Sequence, residues 1–322
     1  MKIVDTYKRI NEMLNDASTV FVVAHKDLDM DAVGASLAMY QYIESFGKSV
    51  YFILDDVKTE DSVDRVLNEL GSKVNFVSSN KAKDIKNGDS LLVILDTNKN
   101  KLLQTEDLDS VFSKKIVIDH HEESDGSIAD GEIVVDVEAS STCEMITEFL
   151  KLNNFVIDKN LATLLLAGII LDTNNYILKT DSNTFYYSYY LTTCGAEPNK
   201  VQYLFKQDLK KYIKRQKMIT NVKKINNIAV SKGVSNDIYR REELAKTADT
   251  LLLFSGIEAA FVIAMIEKGV IGISARSMGS INVGKILTMF GGGGDVNFAA
   301  AKIENTTISK VEHELLNIIK LL

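Results

Sequence analysis

The sequence predicts an α/β protein: an N-terminal, mainly parallel sheet flanked by helices, with a smaller C-terminal α/β domain across a cleft. Three observations carry this reading. Four apolar, β-branched runs, TVFVVAH (19–25), SVYFIL (49–54), SLLVILD (90–96) and KIVID (115–119), are continuous rather than alternating, as befits strands covered on both faces. Helical-period segments lie between them, and strands alternating with helices make βαβ units. From about residue 226 a second strand pattern begins, with NIAVSK (227–232), AAFVIAMIEKGVIGISARS (259–277) and a run of four glycines.

Taken in order, DAVGASLAMYQYIESFG (31–47) has helical spacing and stops on a glycine, a residue suited to a helix C-terminus. SSTCEMITEFLKL (140–152) and KNLATLLLAGIILDT (159–173) read as two further helices. KQDLKKYIKRQK (206–217) carries six cations and one acid, the pattern of a solvated connecting helix rather than a phosphate-binding face. The domain boundary falls between about 190 and 226. The expected division is 1–190 for a catalytic metal-binding domain, 191–226 for a helical linker and 227–322 for a substrate-binding domain.

The totals narrow the function. With 322 residues, 46% apolar and 25% charged, the chain is long enough for two cores of ordinary globular composition. A net charge of −7 argues against a chain-wide basic surface for long nucleic acid. Cys143 and Cys194 are too few for a disulfide scaffold and form no C-x-x-C pair, which points to a reducing cytoplasm. The start, MKIVDTYKRINEMLND, lacks the apolar core of a signal peptide. No apolar run reaches the roughly 20 residues that cross a bilayer.

In parallel α/β sheets, ligands sit beyond the carboxyl ends of the strands, and the chemistry-bearing residues cluster there. VVAHKDLDMDAVG puts His25, Asp27, Asp29 and Asp31 between the first strand and its helix. VILDTN ends on Asp96, VIDHH on Asp119, His120 and His121, and GIILDTNN offers Asp172. Imidazoles and carboxylates without thiolates suit Mn²⁺, and less well Mg²⁺ or Zn²⁺. So many carboxylates repel one another unless cations lie between them. Two metals sharing a bridging aspartate resolve that repulsion, activate a water and clamp the oxygens of an in-line phosphoryl displacement.

Taken singly, each residue has a plainer role. A strand-end aspartate is usually a helix cap or turn residue, and Asp27 is read that way. His313, on an amphipathic C-terminal helix, is read as a surface residue. Three of the four histidines nevertheless stand beside aspartates at strand ends, and that concentration favours a metal site. In the second domain, Arg276 can grip a phosphate with its fork. Gly291, Gly292, Gly293 and Gly294 allow backbone amides to approach an anion, with a helix expected to start at DVNFAAAKI behind them.

Together these stretches resemble the DHH phosphoesterase family with its associated C-terminal domain, over residues 18 to 303. Within it the likeness is to the catalytic module of membrane-anchored bacterial cyclic-di-AMP phosphodiesterases, through HK..DMDAVGA, ASST.E, LLAGIILDT, ADTLL and GISARSMGSINV. The resemblance implies two Mn²⁺ ions, with Mg²⁺ or Co²⁺ as substitutes, held by His25, Asp29, Asp31, Asp96, His120 and Asp172, with Asp96 as the bridge. It implies that Asp119 orients an imidazole and that His121 is a phosphate contact or proton donor. Arg276, Ser277 and Gly291 to Gly294 become substrate contacts.

Two positions depart from the resemblance: Asp295 stands where that branch usually has a histidine, and Lys179 and Asp181 where it tends to place Arg and Gly. The expected activity is hydrolysis of cyclic-di-AMP to pApA. The alternative is a nanoRNase or phosphatase acting on pApA, short oligoribonucleotides or 3′-phosphoadenosine 5′-phosphate. A nucleotide sensor without turnover ranks last, because all the metal-binding positions are retained. The implied partner is a small nucleotide, cyclic or linear, with no long nucleic acid; a homodimer is compatible with the resemblance.

Overall fold

The computed structural model describes every residue except 1, 56–58, 60, 71–72, 207, 236 and 322. The chain divides into two units, Met1–Lys206 and Gln207–Leu322, so the division falls inside the segment expected as a linker.

The first unit opens with α1 (Lys2–Asp16), β1 (Thr19–Ala24), α2 (Met30–Glu44), β2 (Ser49–Ile53), α3 (Asp61–Leu70), β3 (Phe76–Val77) and α4 (Ser79–Ile85). It continues with β4 (Ser90–Leu95), α5 (Leu108–Val111), β5 (Lys114–Asp119), β6 (Glu132–Val135), α6 (Thr142–Leu152), α7 (Lys159–Asp172), α8 (Ser182–Thr193) and α9 (Pro198–Leu204). The sheet runs β3-β2-β1-β4-β5-β6, and every strand pair in it is parallel. The order reverses direction between β1 and β4, which makes their carboxyl ends a topological switch point.

The continuous apolar runs have a direct cause. Val20, Val22 and Ala24 of β1 face one core while Phe21 and Val23 face another. In β4, Leu91, Val93 and Leu95 separate from Leu92 and Ile94 in the same way. Successive strand side chains point to opposite faces, so a sheet covered twice needs apolar residues at every position. The short β3 and β6 carry no such signal in the sequence.

On one face, α2 packs against α6 and α7 as well as β1. Its residues Met30 to Tyr40 are all buried, which is why its sequence is apolar almost all round. Two glycines let these helices close up. A Cβ on Gly34 would lie 2.8 Å from Cys143 Sγ and 3.0 Å from the Leu164 carbonyl oxygen; one on Gly168 would lie 2.4 Å from Cys143 Sγ and 2.9 Å from Asp31 Oδ1. Both distances at Gly168 are too short for real atoms, so α7 approaches Asp31 this closely only because the residue is glycine.

The second unit comprises α10 (Leu209–Thr220), β7 (Lys223–Ile225), β8 (Ile228–Lys232), α11 (Arg241–Leu252), β9 (Ala259–Glu267), β10 (Val270–Ser277), α12 (Val283–Thr288), β11 (Gly293–Gly294), β12 (Phe298–Glu304) and α13 (Ile308–Ile319). Its sheet runs β11-β12-β10-β9-β8-β7, antiparallel apart from the β8/β9 pair. One expectation is corrected here: DVNFAAAKI does not start a helix. It leads into β12, where Ala299 and Ala301 are buried and Phe298, Ala300 and Lys302 are exposed. Pairing along the length of β10 overrides the modest helix preference of three alanines.

Replacing Gly168 by alanine is expected to destabilise the first unit by about 1–3 kcal/mol through overpacking, measured as a lower urea midpoint. An unchanged midpoint would show that α7 can move aside.

Candidate metal centre

Four pieces of chain end at the carboxyl edge of the first sheet. His25 follows β1, and Asp29 caps α2, its Oδ1 accepting the amides of Asp31 (2.9 Å) and Ala32 (3.0 Å). Asp31 lies in the first turn of α2. Asp96 follows β4 in a left-handed conformation, φ 59°, a region aspartate tolerates better than most residues. Asp119 is the last residue of β5 with His120 and His121 behind it, and Asp172 is the last residue of α7.

The centre of the arrangement is the Asp96 carboxylate, 2% exposed. His25 Nε2 stands 3.2 Å from its Oδ2, whereas His120 Nε2 stands 3.5 Å from its Oδ1. The two oxygens therefore face different histidines. His25 Nε2 is also 3.8 Å from Asp29 Oδ2. His120 Nε2 is 3.1 Å from Asp172 Oδ2 and 3.9 Å from Asp31 Oδ2. Three groups have ligand atoms within 4.8 Å of one another: His25, Asp29 and Asp96; Asp31, His120 and Asp172; and Asp96, His120 and His121. The structure thus gathers all six residues named as candidate metal ligands.

His121 takes a different position. Its Nδ1 lies 2.7 Å from Asp119 Oδ1, which also accepts its backbone amide at 3.2 Å, and its side chain is half exposed. The imidazole that Asp119 orients is therefore His121 and not His120. Asp27 is exposed and belongs to none of the three groups. His313 is exposed on α13 within hydrogen-bonding distance of Asn317.

The electrostatics ask for cations. Carboxylate oxygens about 4.8 Å apart repel by roughly 3–4 kcal/mol at an effective dielectric constant near 20. Among the described residues, no lysine or arginine is ion-paired with Asp29, Asp31, Asp96, Asp119 or Asp172. Burial, then the neighbouring Asp31 and Asp29 charges, raise the Asp96 carboxyl well above the ordinary aspartate value. Burial and Asp172 raise Asp31 to about 6, and burial and Asp29 raise Asp172 to about 8.

Burial lowers His120, keeping it neutral and able to ligate. For His121 burial acts downward too, but the hydrogen bond and charge of Asp119 outweigh it and raise the pKa. Both ring nitrogens of buried His120 lack a hydrogen bond of proper geometry, as does Asp119 Oδ2. A buried imidazole whose two nitrogens find no protein partner, amid excess carboxylate, has the environment of a metal ligand. The donor set fits a divalent cation.

The sequence does not announce the support for these acids. The backbone amides of Thr142 and Cys143 both donate to Asp31, at 2.7 Å to Oδ2 and Oδ1 respectively. Thr142 Oγ1 donates to Asp96 Oδ1 at 2.9 Å. The available signal is Ser141 ahead of an apolar helix, the mark of an N-cap, whose free amides attract a carboxylate.

The second unit holds the expected substrate contacts. Arg276 donates from Nε to Asp249 Oδ1 at 2.9 Å and from Nη1 to the Ala275 carbonyl at 3.0 Å, and Ser277 Oγ accepts the Gly279 amide at 3.1 Å. The glycine cradle is narrower than expected. Gly291 and Gly292 donate their amides to the Thr288 and Leu287 carbonyls at the end of α12, so those two are not available to an anion. A Cβ on Gly292 would lie 2.2 Å from the Ala300 carbonyl oxygen, which makes close packing on β12 the reason for that glycine.

A carboxylate–imidazole centre of this kind, at the switch point of a doubly wound sheet, has the donor set expected of a divalent-metal α/β protein. The chain belongs to the DHH family: the family's N-terminal domain matches residues 19–169 and the DHHA1 domain matches residues 217–322. It is 35% identical over 315 residues to the cyclic-di-AMP phosphodiesterase GdpP of Geobacillus thermodenitrificans, covering 95% of this chain and 48% of that protein. The chain spans about half the length of the curated phosphodiesterases it matches. An exopolyphosphatase-related protein from Bacteroides fragilis shares the fold, with a TM-score of 0.82 at 20% identity over 98% of this chain and 96% of that one. The exonuclease RecJ, in a structure bound to manganese, gives a TM-score of 0.57 at 12% identity over 97% of this chain and 93% of that one.

The raised carboxyls have a consequence for the metal-free protein. A folded-state pKa above the unfolded one gives stability that is full below the unfolded value and lost as pH rises through the folded value. In chelator, the melting temperature is expected to fall as pH rises from about 4 through about 6 to 8, the values of Asp31 and Asp172. Added Mn²⁺ should raise it more at pH 8 than at pH 5.5. A metal effect equal at both pH values would contradict the assignment of these acids.

Proposed function

We propose that the chain is a Mn²⁺-dependent phosphodiesterase that opens cyclic-di-AMP to linear pApA. The observation that carries this reading is the Asp96 carboxylate, with one oxygen toward His25 and the other toward His120. On this reading His25, Asp29 and Asp96 would hold one cation, and Asp31, Asp96, His120 and Asp172 would hold the other. Two divalent cations held there would supply an activated water and neutralise charge developing on the phosphoryl oxygens. The likeness to cyclic-di-AMP phosphodiesterases favours the substrate. The mixed oxygen and nitrogen donors, and the manganese in the RecJ structure, favour the metal.

In the reaction, a water oxygen bonds to one phosphorus as the bond from that phosphorus to the 3′-oxygen breaks. The leaving 3′-oxygen takes a proton, and one opened ring bond leaves a linear dinucleotide with a 5′-phosphate. His121 supplies that proton from Nε2. Its Nδ1 is held by Asp119 at 2.7 Å, its pKa is raised, and its ring is half exposed, as a general acid reached by substrate requires. Asp119 is the positioning residue behind it. In the second unit, Asp249 and the Ala275 carbonyl fix the Arg276 guanidinium through Nε and Nη1, leaving Nη2 for a substrate phosphate. Ser277 follows it on β10, and Gly293 and Gly294 lie on β11, with β12 between the two strands.

Incubation with Mn²⁺ and cyclic-di-AMP, with products separated by ion-exchange chromatography, is expected to yield pApA, and chelator should abolish the conversion. Asp31→Ala and His120→Ala should remove activity. His121→Ala should lower kcat by about 10²–10⁴-fold while leaving Mn²⁺ binding in place. Full activity in Asp31→Ala or His120→Ala would contradict the reading. Cleavage of pApA but not of the cyclic compound would transfer it to a linear substrate.

A further inference from the structure

We infer that Thr142 is the positioning residue that holds Asp96 in its bridging orientation, so that the Thr142 hydroxyl governs occupancy of the second of two cation sites. This rests on the reading of Asp96 as a shared ligand and extends it to a residue outside the candidate ligand groups.

Thr142 is fully buried as the first residue of α6. Its Oγ1 donates to Asp96 Oδ1 at 2.9 Å, and its own amide donates to Asp31 Oδ2 at 2.7 Å. One residue therefore joins acids from two other elements, the end of β4 and the first turn of α2. Asp96 accepts this bond on Oδ1, the oxygen that faces His120, while Oδ2 faces His25. A carboxylate pinned on one oxygen cannot turn about its χ2 without losing that bond, so both oxygens stay directed at their separate histidines. The β-branched threonine is itself stiff at χ1. The backbone amides of Thr142 and Cys143 are committed to Asp31 and that of Asp96 to the Ile118 carbonyl, so among these groups the hydroxyl is the one holding Asp96. Replacing the side chain leaves the two amide bonds to Asp31 untouched, which separates the fate of the bridge from the packing of α6.

The test is titration of the full chain with Mn²⁺, followed by calorimetry and by electron paramagnetic resonance, in which two Mn²⁺ sharing a carboxylate give an exchange-coupled spectrum. The wild type should bind two ions with the coupled spectrum. Thr142→Val should bind the second about 10–100-fold more weakly and show isolated Mn²⁺, at a melting temperature near that of the wild type. Thr142→Ser, which keeps the hydroxyl, should restore both affinity and coupling. If Thr142→Val does not fold, Thr142→Ala is read in its place. Two tightly bound, coupled ions in the valine or alanine variant would overturn the inference, and so would a serine variant as defective as the valine one. A wild type that binds no Mn²⁺ would instead defeat the cation-pair reading, and the inference would fall with it.

Discussion

A buried aspartate ringed by other carboxylates is the constraint around which the first unit is built. Asp96 is 2% exposed and has Asp29, Asp31 and Asp172 around it, an arrangement that costs several kcal/mol if left uncompensated. The surrounding protein offers partial compensation. The first two amides of α6 donate to Asp31, the Thr142 hydroxyl donates to Asp96, and neutral His120 brings nitrogens rather than more charge. The remaining negative charge suits divalent cations, whose binding would turn a destabilising cluster into a stabilising one.

The scaffold offsets this cost through its apolar layers. Each fully buried valine, leucine or isoleucine of β1, β4 and β5 contributes about 1.5–3 kcal/mol, and these strands are apolar up to the residue before each acid or histidine. The helices on one face then close on the site through Gly34 and Gly168. His25, Asp96 and His120 directly follow rigid strands, whereas Asp29, Asp31 and Asp172 sit at helix ends, so the proposed ligand set does not depend on a long loop.

What can be read from the sequence follows the same physics. Strands with two buried faces leave a continuous apolar signature, so β1, β2, β4 and β5 are legible, while two-residue β3 and half-buried β6 are not. The acids and histidines stand out because each ends an apolar run. Thr142 and Gly168 do not, since a hydroxyl at a helix start and a glycine in a helix have many ordinary uses. Only the three-dimensional approach of α6 and α7 to Asp31 gives them meaning. The segment 295–303 shows the opposite failure, in which three alanines suggest a helix and alternate burial against β10 decides for a strand. Asp295, notable in the sequence for its charge, acts locally. Its Oδ1 accepts the amides of Asn297 (2.7 Å) and Phe298 (2.8 Å) and turns the chain into β12.

The central claim is that one carboxylate serves two cations, and Asp96→Asn tests it most directly. A carboxamide keeps the size of the side chain but has one oxygen in place of two. Equilibrium dialysis against Mn²⁺ should give two ions per wild-type chain and at most one per variant chain. Two ions bound by the asparagine variant at wild-type affinity would contradict the account.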